Sequence, residues 1–114
     1  MSEFTPNEAV LQLTALAREI DVQTRELNEA DFVAVRAKHA FEIAWARAIL
    51  TVEASNADSR KARATLDTEA ELWAVREADH HVQAGKRVLD SLRTRIDVGR
   101  SALSAKKSEW MATT

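Results

Sequence analysis

The stretch Glu77-Ala78-Asp79-His80-His81 is the strongest candidate for metal chemistry in this chain. Glu-x-x-His, here Glu77 and His80, sets a carboxylate and an imidazole one helical turn apart. That is half of the carboxylate di-metal arrangement found inside helical bundles. A complete site needs a second such motif and two further glutamates. The remaining histidine, His39, precedes Glu42 in the reverse order, and in a chain that folds back near residue 57 it comes level with Ala74 rather than His80. The expectation is no metal and no cofactor, with the histidines solvated or against a partner. Other chemistries are also poorly served. Nothing positions a Ser/His/Asp set around a pocket, and there is no cysteine to act as nucleophile or ligand. Gly85 and Gly99 stand too far apart to form a phosphate-cradling loop. Glu69 and Glu71 do not share a helix face. These residues predict a protein that is not an enzyme and takes no small-molecule substrate.

Binding chemistry is better represented. Residues 1–31 carry seven acids and two bases, and residues 86–107 carry seven bases and two acids, so the modest net charge of −2 hides opposite ends. Arg60, Lys61 and Arg63, with Arg93, Arg100 and Lys107 further on, could meet a phosphate backbone. Trp45, Trp73 and Trp110 invite a base-stacking reading. Trp45 and Trp73 flank an apolar stretch and are better explained as core or interface anchors. Trp110, beside Lys106 and Lys107, is the one to test for partner contact.

The elements that must carry these residues are helices. Two glycines and one proline in 114 residues leave little material for the turns that strands require. Ala, Leu, Arg, Glu and Lys dominate, as in long helices. Thr5, Pro6 and Glu8 make a helix start with a capping box. From there Leu13, Leu16, Ile20, Leu27, Ala30, Ala34, Ala37, Phe41, Ala44 and Ala48 keep a heptad that only Gln23 and Thr51 interrupt. Asn28 and Asp31, with Leu27 and Phe32 as a hydrophobic staple, read as a second cap, so the first arm either breaks near Asn28 or runs through it. Ser55, Asn56, Asp58 and Ser59 mark the clearest turn. Beyond it Val75, Val82, Leu89, Ile96 and Leu103 recur at spacing seven, with Ala78, Gly85, Leu92 and Gly99 in the partner positions. Gly85 and Gly99 therefore fall on a buried seam, where a missing side chain lets another helix approach closely.

The expected fold is all-α: a single domain over 1–114 forming a long antiparallel, coiled-coil-like helical hairpin. Arm one covers about 6–54, the turn about 55–58 and arm two about 58–108. The acidic start would lie against the basic end and fix the register. Residues 32–52 are apolar on more than one side, which marks a helix that something else must cover. Either the segment before Asn28 folds back to make a three-helix bundle, or a second copy of the chain covers it; the second copy preserves the matched arm lengths and is preferred, with Phe32, Val35, Phe41, Ile43, Trp45, Ile49 and Leu50 as the oligomer interface. No apolar run reaches the roughly 18 residues of a membrane span, and Met1–Val10 lacks the pattern of a signal peptide. A cytoplasmic protein follows.

The second arm, SRKARATLDTEAELWAVREADHHVQAGKRVLDSLRTRIDVGRSALSAKKSE, resembles a group of small helical bacteriophage proteins. These open on an RKA start and close on a Leu-x-x-Leu-Arg-x-x-Ile pattern followed by Leu-Ser-Ala-x-Lys. The matching residues here are Leu89, Leu92, Arg93 and Ile96, then Leu103, Ser104 and Ala105, followed by Lys106 and Lys107. The resemblance covers about half the chain and carries no catalytic residues. It implies a phage or prophage origin, in a bacterial host's cytoplasm, and an accessory role in DNA recombination or replication. The partners would be the chain itself, a recombination or replication protein, or single-stranded DNA. The alternative is a single-stranded nucleic-acid-binding module using the basic residues named above.

Overall fold

The computed structural model describes residues 5–112. Of these, 94% are helical, in three helices and without strands. Helix α1 is Pro6–Thr51, α2 is Ala57–Asp67 and α3 is Glu69–Ala112. No helix among the described residues is long and apolar enough to cross a membrane.

The helix ends follow from local chemistry. At the start of α1 the Thr5 N–H donates to Glu8 Oε2 at 3.3 Å, and the Glu8 N–H donates to Thr5 Oγ1 at 3.2 Å. This is the reciprocal capping box, with Pro6 at the position where its missing N–H is harmless. After Thr51 the chain runs through residues 52–56 to Asn56, whose extended backbone and Oδ1, accepting from the Ser59 N–H at 2.8 Å, cap α2. Among the described residues none has a positive φ, so this connection needs no glycine. Thr68 separates α2 from α3. It is 3% exposed, and its hydroxyl donates to the Ala64 carbonyl at 2.7 Å. Such back-bonding locally bends a helix. The ladder nevertheless continues, because the Thr68 N–H reaches Ala64 O and the Leu72 N–H reaches Thr68 O.

Asn28 does not break the first arm, and α1 is continuous through it. Capping would gain one or two hydrogen bonds there. A break would take the apolar series out of phase, and that series runs on through Leu27, Ala30 and Ala34, all half-buried. Gln23 holds its place in the series and is half-buried too.

The chain divides into two compact units. One joins the chain up to Glu26 with the chain from Gly85 onward; the other is Leu27–Ala84. In the first unit Ala9, Leu13, Leu16 and Ile20 of α1 are half-buried, and Leu89, Leu92 and Ile96 of α3 are buried. In the second unit the buried positions are Ala48 on α1, Ala64 on α2, then Thr68, and Ala78 and Val82 on α3. In the first unit these positions recur at spacings of three and four along each helix, as expected where helices meet along a seam.

Candidate interaction surfaces

The unit of Leu27–Ala84 contains the apolar stretch flagged by its sequence. At about 100° per residue, Ala30, Ala34, Ala37, Phe41, Ala44 and Ala48 form one face of α1. They are half-buried, or buried at Ala48. Phe32, Val35, His39, Ile43, Ala46 and Leu50 form the opposite face, and all six are exposed. Phe32 is 61% exposed, Val35 59%, Ile43 41% and Leu50 84%. The seven expected interface residues thus fall into two sets. Phe32, Val35, Ile43 and Leu50 share the exposed face. Phe41, Trp45 and Ile49 are half-buried, with the Phe41 and Trp45 rings 6.3 Å apart and tilted by 37°. Arg36 lies along the exposed face, its guanidinium carbon 5.4 Å from the Phe32 ring centroid. Trp73 and Leu66 are exposed as well.

The histidines lie in this same unit. His80 and His81 are exposed, with ring centroids 6.1 Å apart, and His81 Nε2 stands 3.9 Å from Glu77 Oε1. Among the described residues no three His, Asp or Glu side chains are grouped to hold a metal ion. Glu71 is half-buried on the seam side, and its Oε2 is cut off from solvent without a hydrogen-bond partner. Glu69 is exposed.

In the unit formed by the two chain ends, a groove of about 400 Å³ is lined by Leu13, Leu16, Val98 and Leu103, with Thr5, Arg95 and Lys106 at its polar margin. Gly99 sits in its wall. A Cβ built there would come 2.9 Å from Leu13 Cδ2, so α1 and α3 do approach closely at this point. Gly85 differs. Outside its own helix, no described atom lies within 4 Å of where its Cβ would be. Close packing thus accounts for Gly99 and not for Gly85, which is half-buried on the seam but faces open space.

All six candidate nucleic-acid residues are exposed. The structure groups them as their spacing dictates. Arg60 and Arg63 share a face of α2, with Lys61 turned away. Arg93, Arg100 and Lys107 recur at spacing seven on one face of α3, where Arg93 Nη1 is 3.9 Å from Asp90 Oδ1. That pair and His81–Glu77 each join residues of one helix.

Reasoning from spacing alone overlooked the charged rims of the exposed α1 face, Asp31 and Glu42 on one side and Arg36 and Arg47 on the other. The signal was present as a repeat of period eleven in ADFVAVRA and FEIAWARA, residues 30–37 and 41–48. Compared with protein-family models, curated proteins and solved structures, the chain matches none.

Proposed function

We propose that this chain is a non-enzymatic helical hairpin that self-associates and serves a bacteriophage or prophage as an accessory factor in DNA recombination or replication, acting through protein contacts in the host cytoplasm. One observation carries the self-association: Phe32, Val35, Ile43 and Leu50 stand exposed in a row on the side of α1 opposite its half-buried seam. Contiguous exposed apolar surface of this kind marks a docking site. The phage assignment rests on the Leu89–Lys106 pattern in the second arm. Its test is functional. Annealing of complementary single-stranded oligonucleotides by a phage recombinase is measured with and without the protein. The wild-type chain is expected to change the rate and Leu50→Asp to lose the effect. Wild-type chain with no effect on the recombinase removes the accessory role.

A second reading is favoured by the series Arg93, Arg100 and Lys107, which spans about 21 Å at 1.5 Å per residue along one exposed face. Such a line can track a single-stranded phosphate backbone. Binding through it would weaken steeply with salt, with roughly one unit of logarithmic slope per phosphate contact. No binding to a single-stranded oligonucleotide at low salt eliminates this reading.

A further inference from the structure

We infer that the exposed face of α1 is a parallel, in-register docking surface for the same helix of a second copy. The inference rests on the self-association reading and adds to it the direction and register of the pair. The face carries a repeat of period eleven. Asp31-Phe32-Val33-Ala34-Val35-Arg36 recurs as Glu42-Ile43-Ala44-Trp45-Ala46-Arg47. Eleven residues complete three turns to within about 20° at 100° per residue, so the repeated apolar positions form a nearly straight stripe on a straight helix. Phe32, Val35, His39, Ile43, Ala46 and Leu50 occupy an arc of about 80° by the same geometry.

The rims of this stripe are of opposite charge. Asp31 and Glu42 lie on one side of it, Arg36 and Arg47 on the other, and all four are exposed. Each arginine follows its acid by five residues. In a parallel helix pair, a residue on one rim faces the residue five further along on the partner's opposite rim. Asp31 then meets the second copy's Arg36, and Glu42 meets its Arg47. Twofold symmetry doubles both pairs. An antiparallel pair would bring like rims together, acid beside acid and arginine beside arginine. Charges on the rims of a helix pair select orientation and partner in this way. Arg36 is already held at its rim by stacking over Phe32. Lys38, further round from the stripe, faces the apolar Ile43 of the second copy, which its methylenes can cover. Glu29 shares the rim of the arginines but precedes the repeat. A partner of other chemistry would have no reason to match a spacing of five on both rims.

Cross-linking tests the orientation, since the chain has no cysteine of its own. Phe32→Cys and Leu50→Cys are made separately in the full chain and mildly oxidised. In a parallel, in-register pair each position lies beside its own copy, and both variants become disulfide-linked dimers. In an antiparallel pair centred on His39, the two copies of position 50 stand about 33 Å apart at 1.5 Å per residue. Neither variant then cross-links with itself, whereas Leu50→Cys mixed with Asn28→Cys does. Sedimentation equilibrium on the same unoxidised samples separates the two ways of failing. Association without self-cross-linking overturns the parallel arrangement alone. A single-chain mass at every concentration overturns self-association as well.

A charge exchange checks the rims independently. Asp31→Arg with Glu42→Arg gives one chain, and Arg36→Glu with Arg47→Glu gives another. Each alone is expected to associate at least about tenfold more weakly than wild type, and the mixture to recover, because like charges across an interface disfavour the wrong partner. Equal association of all three samples overturns the role of the rims.

Discussion

Gly85 and Gly99 share a helix and a heptad position yet do different things. At Gly99 an added methyl meets Leu13 Cδ2 at 2.9 Å, the mobile end of a side chain that lines a groove. At Gly85 it meets nothing beyond its own helix. Alanine is favoured over glycine inside a helix by about 1 kcal/mol. Gly85→Ala should therefore stabilise the protein by about 0.5–1 kcal/mol. Gly99→Ala should be near neutral, since Leu13 must give way. Gly99→Leu should destabilise by about 1–3 kcal/mol through overpacking. Urea unfolding at fixed protein concentration measures all three. A stabilising Gly99→Leu would mean that the close approach at Leu13 does not exist. Heptad phase gives both glycines a seam position, and both are half-buried. It could not distinguish them, because the room around a seam position depends on what stands across from it, and that is a property of the pair of helices.

At the scale of the element, the caps decide where helices begin and the apolar series decides where they cannot stop. Thr5 with Glu8 forms the capping box that their spacing predicts, and Asn56, one of four polar residues marking the turn, caps α2 through the Ser59 N–H. Asn28 has the right neighbours for a cap and forms none, since α1 carries its seam straight through it. Two substitutions follow. Asn56→Ala should cost about 1 kcal/mol, the usual loss for an N-cap. Asn28→Ala should instead gain up to about 0.5 kcal/mol, because mid-helix alanine is preferred to asparagine. Thermal unfolding checks both, and a marked loss at Asn28 would restore a helix start there. The separation of α2 from α3 was not legible beforehand. Thr68 lies in an unbroken helical pattern, and its burial and its departure from helical backbone, at φ −112° and ψ 19°, single it out, since other threonines make the same hydroxyl bond within continuous helices. The α1 faces were half legible. Phe32, Ile43 and Leu50 announce a second apolar side, but apolarity alone groups Phe41, Trp45 and Ile49 with them. A grouping by angle separates these sets, as burial then does.

For the whole molecule, two facts have to be accommodated together. The buried positions are few and mostly small or aliphatic, and the helix with the most apolar surface presents a second face of Phe32, Val35, Ile43 and Leu50 to water. Burying apolar surface contributes roughly 25 cal/mol per Å², so leaving that row uncovered forgoes stability that a second copy would supply. Under the proposed self-association the chain would gain stability from its own concentration, and the proposed accessory factor would act as an assembly. The basic series on α3 is then displayed more than once, which strengthens weak contacts without any new one. The measurement that bears on this most directly is sedimentation equilibrium of the wild-type chain and of Leu50→Asp over a wide concentration range. The expected result is a mass of two or more chains for the wild type, falling toward one chain on dilution, and a single-chain mass for Leu50→Asp. A wild-type chain that sediments as one copy at every concentration would contradict it.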